Sequence, residues 1–170
     1  MIDFTIDNQK VELSFENIAL ELINNYDLKI NNKRYQLAEL EFYFFCKEHP
    51  DGYTYNHNEH AGKLRFHYSG VDITLRSKND NGYGGILVRE IIDLETTLSI
   101  TGPLKVVLEI SKSFTSIFEK NTIQFVDAIQ KRDYQKDLNI ITTERINLKK
   151  IIEHNKYQKS KYRFKLKNNL

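Results

Sequence analysis

Two carboxylates two residues apart, Glu39 and Glu41, sit inside the largely apolar run Arg34-Tyr35-Gln36-Leu37-Ala38-Glu39-Leu40-Glu41-Phe42-Tyr43-Phe44-Phe45. A β-strand places residues i and i+2 on one face. The spacing therefore aligns Tyr35, Leu37, Glu39, Glu41 and Tyr43 on one side, and Gln36, Ala38, Leu40, Phe42 and Phe44 on the other. The second face is nearly all apolar and is expected to be the buried one. A carboxylate half-sunk among aromatics has a raised proton affinity and can serve as a general base. The same pair also reads as two solvent-facing charges on an edge strand.

A second group of reactive side chains follows in one loop, where His49, His57 and His60 lie near Asp51 and Glu59. His-x-x-His beside an acid is compatible with zinc, but no helix is expected there and no His-Glu-x-x-His pattern occurs. No metal or cofactor is therefore expected. There is no P-loop, and Gly82-Tyr83-Gly84-Gly85 reads as a turn, since it opens no helix. No Gly-x-Ser-x-Gly elbow is present, and Cys46, the only cysteine, lies in a hydrophobic run as a packed thiol. A lone cysteine allows neither an intrachain disulfide nor a cysteine zinc cluster.

The elements that would position these residues follow from periodicity and turn signals. Residues 2–12 alternate and read as a short strand or a surface arm. Ser14 to Tyr26 has Phe15, Ile18, Ala19, Leu22 and Ile23 at helical spacing, with Ser14 as N-cap and Asn24-Asn25 as the stop. Asn31-Asn32 turns Leu28-Lys29-Ile30 into the Glu39/Glu41 strand as a hairpin. His49 to His60 is an irregular loop rich in turn formers. Leu64–Tyr68 and Val71–Leu75 read as strands about Ser69-Gly70, and Gly84–Leu94 as another, burying Ile86, Val88 and Ile91. Thr101-Gly102-Pro103 opens a helix over Leu104–Ile110, with Val106, Val107 and Leu108 as core. An amphipathic segment near Phe114 to Phe118 and strands at Thr122–Val126 and Tyr162–Leu166 complete the chain. No repeat or composition break marks a second domain.

At 170 residues with 40% hydrophobic and 12% aromatic content, the chain can build a packed core and is not of disordered composition. A net charge of +2 is too small to imply nucleic-acid binding by itself. Its distribution says more. From Arg145 onward come Lys149, Lys150, Lys156, Lys159, Lys161, Arg163, Lys165 and Lys167, opposed by Glu153. Such a segment either holds phosphates or serves as a solubilising tail. No apolar run approaches membrane length and no signal peptide opens the chain, so a cytoplasmic protein without membrane contact is expected.

Four segments in order resemble the alkyladenine (3-methyladenine) DNA glycosylase family. Ala38-Glu39-Leu40-Glu41-Phe42-Tyr43 is similar to that family's Glu-Thr-Glu-Ala-Tyr strand. Gly62-Lys63-Leu64-Arg65-Phe66-His67-Tyr68-Ser69-Gly70 is similar to its Gly-Thr-Leu-Tyr-Val-Tyr run ending in Tyr-Gly. Gly85-Ile86-Leu87-Val88-Arg89-Glu90-Ile91 resembles its Val-Leu-Ile-Arg-Ala strand. Thr101-Gly102-Pro103-Leu104-Lys105-Val106, running on to Ile110, resembles its Ser-Gly-Pro-Gly-Lys-Leu helix start. Fainter similarity follows at Arg145-Ile146 and Tyr162-Arg163-Phe164. Residues 34–110 carry most of the match, between an N-terminal helix region (1–30) and the basic C-terminal segment (145–170).

The resemblance implies one α+β domain over residues 1–170, a mostly antiparallel curved sheet with a few flanking helices. It implies a monomeric DNA repair hydrolase of base excision, which flips a damaged or alkylated purine out of DNA and cleaves its glycosidic bond with glutamate-activated water. On that pattern Glu41 is the catalytic base and Arg89 supports it. Tyr43 and His67 wall the base pocket, His67 standing where the family stacks a tyrosine. Tyr68 or Ser69 falls at the duplex wedge, and Lys105, Arg145 and Arg163 are the DNA-contacting cations. The family's His-Ser-Arg-Gly-Gly loop is absent, with His57 or His60 in the histidine's place, and the segment before Leu64 is shorter. These departures point to a changed substrate. Two other readings stay open: a non-catalytic nucleic-acid-binding module, and a hydrolase of another N-glycosidic bond, in a nucleotide or RNA.

Overall fold

The computed structural model describes residues 2–114, 118, 120–148 and 156–167. Lys149, Lys150, Glu153 and residues 115–117 of the expected amphipathic segment lie outside the described residues. β1 (Thr5–Ile6) comes first, and Asp7 then closes the turn that leads into the first helix. Its carbonyl accepts from the Lys10 N–H (2.9 Å) and its carboxylate from the Gln9 N–H (3.0 Å). The helix α1 (Val11–Asn25) therefore begins three residues before Ser14. Ser14, expected as N-cap, instead lies in the first turn, where its Oγ accepts from the Asp7 N–H at 3.3 Å. The face expected from periodicity is the buried one: Phe15, Ile18, Ala19, Leu22 and Ile23.

β2 (Tyr26–Ile30) and β3 (Lys33–Phe45) form the expected hairpin. Asn31 takes the left-handed conformation the turn needs (φ 52°) and donates from its side chain to the Ser113 carbonyl at 2.7 Å. β4 (Leu64–His67), β5 (Gly70–Ser77), β6 (Tyr83–Asp93), β7 (Ser99–Thr101), α2 (Pro103–Lys112), β8 (Ile123–Asp127), β9 (Ile140–Thr143) and β10 (Arg163–Leu166) follow, with a 3₁₀ turn at Lys156–Lys159. One sheet holds all the strands, ordered β1-β5-β6-β3-β10-β9. β2 and β8 extend from β3, β4 from β5 and β7 from β6. Every pairing is antiparallel except β1 with β5. The α+β class, a curved mostly antiparallel sheet with two α-helices among the described residues, is as expected from the sequence.

β3 is central, flanked by β6 on one side and by β2 and β10 on the other. The edge-strand alternative for Glu39 and Glu41 therefore does not hold. Strict alternation along β3 does not hold either. The register against β6 runs Leu37↔Ile91, Glu39↔Glu90 and Leu40↔Val88, leaving Ala38 and Arg89 out of step. This double bulge puts Tyr35 and Leu37, expected beside the carboxylates, into the hydrophobic cluster with Leu40, Phe42 and Phe44. Phe15 of α1 packs on Phe42 (4.8 Å between rings) and meets Tyr162 edge-on at 5.1 Å.

Two smaller expectations are also corrected. Only Gly82 belongs to a turn, because Tyr83, Gly84 and Gly85 already pair with β3 and β5. On α2, Val106 and Ile110 face the core one turn apart, whereas Val107 is half-buried and Leu108 is 58% exposed. The short strands β7 and β9 were not foreseen, being too brief to show a period.

Candidate active site

Glu41 is fully buried and held from three sides. Tyr43 donates its hydroxyl to Glu41 Oε1 in a very short hydrogen bond, Arg89 Nη1 stands 3.5 Å from the same oxygen, and the Ile146 N–H donates to Oε2 at 3.2 Å. The bulge at Arg89 lets one guanidinium serve two acids, since its Nε donates to Glu39 Oε1 at 2.9 Å. Glu39 also meets Arg163 Nε (2.8 Å) and Lys165 Nζ (3.2 Å), and Lys165 reaches on to Glu90 at 3.0 Å. Burial alone would push the Glu39 carboxyl up, but the hydrogen bonds and charges of Arg163 and Lys165 hold it below its usual value. Burial, then the Glu41 charge, pushes the Tyr43 phenol far above its ordinary value, so Tyr43 is a donor.

Above this cluster opens a cavity of about 350 Å³, within the range of small-molecule sites. Tyr43 and Arg89 form part of its lining, together with Tyr53, Tyr55, His57, His67 and Tyr68. Glu41 itself lies one layer back, behind Tyr43 and Arg89. Tyr55 and Tyr68 meet hydroxyl to hydroxyl at 3.0 Å, with Tyr68 73% exposed. His67 is set by its own hairpin: Nδ1 lies 2.9 Å from Ser69 Oγ, and Nε2 lies 3.1 Å from Asp72 Oδ1.

The structure thus brings together Arg89, Tyr43, His57, His67, Tyr68 and Ser69 around one cavity, with Glu41 directly behind Tyr43 and Arg89. His57 is fixed by Nε2 against the Gly84 carbonyl at 2.7 Å. His60 is exposed and does not line the cavity; its carbonyl accepts from Thr74 Oγ1. The placement of His60 in the base pocket is therefore corrected. So is the grouping of the three loop histidines, because His49 is buried elsewhere, against the Phe44 carbonyl (2.8 Å) and Tyr162 Oη (2.9 Å).

Two of the expected DNA-contacting cations point inward. Arg145 is buried with Asp51 (Nη1 to Oδ2, 2.6 Å), donates to the Tyr157 carbonyl at 2.9 Å and stacks 4.7 Å over the Tyr43 ring. Arg163 is taken up by Glu39. In both cases a buried carboxylate claimed the cation, which a count of basic residues cannot reveal. Lys105 is exposed on α2. Sequence reasoning missed Asp72, Tyr53 and Tyr55 as cavity residues and Ile146 as the source of an N–H for Glu41. The i, i+2 tyrosines of the polar loop were the one signal available. No protein-family model matches the chain, and no curated protein matches it.

Proposed function

We propose that the cavity takes up a nucleobase and that the Glu41 centre promotes hydrolysis of its N-glycosidic bond, the substrate being an alkylated or otherwise damaged purine in DNA. The observation that carries this reading is the fully buried carboxylate of Glu41, linked through Tyr43 and Arg89 to a cavity with aromatic walls. Glycosidic cleavage passes through an oxocarbenium-like state, which a negative charge below the sugar stabilises. An extruded base stacks on aromatic rings, here His67 and the tyrosines. Because Tyr43 stands between Glu41 and the cavity, water reaches the base through it. The water proton passes to the Tyr43 oxygen as the Tyr43 proton passes to Glu41. Arg89, shared with Glu39, holds Glu41 in place. On this reading the protein works as a cytoplasmic monomer on DNA.

A second reading has its own support. Both oxygens of Glu41 are engaged and none of its surface is exposed, as in a non-catalytic module that binds a base without cleaving it. One comparison separates the two. Oligonucleotides carrying hypoxanthine, ethenoadenine or alkylated purines, single-stranded and duplex, are incubated with wild type and Glu41→Gln. Abasic sites from wild type alone support the enzyme. Equal, salt-sensitive binding by both without base release supports the module. Release from nucleotides or RNA but not DNA moves the chemistry to another N-glycosidic substrate.

A further inference from the structure

We propose that Ser69 is an activated nucleophile, with His67 as its base and Asp72 as the orienting acid, and that the cavity hydrolyses esters of small aromatic acyl groups. This goes beyond the glycosidic reading and does not rest on it. Ser69, His67 and Asp72 all line the cavity, and the side chains of His67 and Asp72 are only 15% and 13% exposed. Their arrangement determines the tautomer. The Ser69 N–H donates to His67 Nδ1 at 3.3 Å, so that nitrogen carries a lone pair, and the ring proton belongs on Nε2, 3.1 Å from Asp72 Oδ1. The Ser69 hydroxyl, 2.9 Å from the same Nδ1, then faces a base able to take its proton. Nucleophile and base stand within hydrogen-bond reach, as acyl transfer requires. The Asp72 carboxylate lies beside the other ring nitrogen, close but not aligned for a hydrogen bond, with the two ring nitrogens exchanged relative to serine proteases.

The backbone around the three residues is shaped to hold them. Tyr68 and Ser69 are the whole connection between β4 and β5, whose last and first residues, His67 and Gly70, are paired. Gly70 adopts φ +153°, and a Cβ there would fall 2.7 Å from Leu87 and 2.8 Å from Pro103, so a glycine seats the turn tightly beneath α2. Gly85 leaves room for Asp72, whose carboxylate a Cβ would approach to 3.2 Å. Tyr53, Tyr55 and Tyr68 give the same chamber walls for a flat acyl group, and Arg65 adds a positive charge to the lining.

In the step itself Ser69 Oγ bonds to the carbonyl carbon while its proton passes to His67 Nδ1. The bond to the leaving oxygen then breaks, and that oxygen takes the proton. Water attacks the acyl-serine with Nδ1 again as proton acceptor, and Ser69 departs carrying the proton. The test is to treat the full chain with an alkyl fluorophosphonate, which loses fluoride to an activated serine, and to map the adduct by peptide mass spectrometry. Release of 4-nitrophenolate from its benzoate ester is followed in parallel. The expected result is one adduct, on Ser69, and a burst of nitrophenolate, both absent in Ser69→Ala. Labelling should slow at least ~100-fold in His67→Gln and at least ~10-fold in Asp72→Asn, with melting temperatures near that of wild type. No adduct on Ser69 of the folded wild type, or equal labelling of His67→Gln, overturns the proposal. Because labelling needs no nucleic acid, failure here is separate from failure of the Glu41 chemistry.

Discussion

Tyr43 lines the cavity and donates its hydroxyl to Glu41, beside Arg89, which also borders both. If the proton path runs through it, Tyr43→Phe abolishes the path while leaving an aromatic wall. Base release should fall ~10²–10⁴-fold, the size of a lost general base, with oligonucleotide affinity within a few-fold of wild type. Single-turnover release and fluorescence binding measured together check this, and undiminished release would place the water directly on Glu41. His49 makes a second prediction at this scale. Burial pushes its imidazole below the usual 6.5, the Phe44 carbonyl opposing only in part. Its folded form thus binds a proton less readily than its unfolded form, so stability is full above about pH 6.5 and falls as pH drops below it. In denaturant titrations from pH 8 to pH 5 the stability gap between wild type and His49→Asn should narrow. A gap that stays constant means His49 does not titrate with folding.

Among the elements, the β3–β6 pair carries the site, and its closeness depends on one glycine. A Cβ at Gly84 would fall 2.2 Å from the Tyr43 carbonyl oxygen and 3.0 Å from Phe44 Cα, a clash with backbone that no rotamer relieves. Gly84→Ala should therefore lower stability by about 1–3 kcal/mol and displace Tyr43. Calorimetry gives the first effect and, if the cavity takes up a nucleobase, a loss of oligonucleotide affinity the second; an unchanged Tm would show that the strands part freely. The bulge lower in the same pair explains why Arg89 reaches two acids, a placement that straight alternation would deny it.

On the scale of the whole molecule the issue is where its positive charge goes. Arg145 and Asp51 form a pair with neither side chain exposed, so removing one partner leaves a bare buried charge. Arg145→Ala should cost ~3–5 kcal/mol of stability rather than simply weaken nucleic-acid binding. Lys105, exposed on α2, is the contrasting case. If it meets phosphate, Lys105→Ala should leave the melting temperature alone and reduce the slope of log affinity against log salt by about one. An Arg145→Ala protein that melts normally, or an unchanged salt slope for Lys105→Ala, would reverse these assignments. No helix among the described residues is long and apolar enough to cross a membrane.

Periodicity and turn chemistry alone were enough to find α1, the β2–β3 hairpin, β4, β5, β6, the Pro-led α2, β8 and β10, because hydrophobic spacing and turn residues are local properties of the chain. The unusual face carrying Glu39, Glu41 and Tyr43 was legible for the same reason. Which charges stay free was not legible. Arg145 and Arg163 read as surface cations until Asp51 and Glu39, 94 and 124 residues away, were seen to claim them. The bulge at Ala38 and Arg89 likewise depends on how two strands meet, which neither strand encodes by its own alternation. Local spacing determined the elements and the reactive faces. Long-range packing decided which side chains share the cavity, since burying a charge demands a partner that only the folded chain brings near.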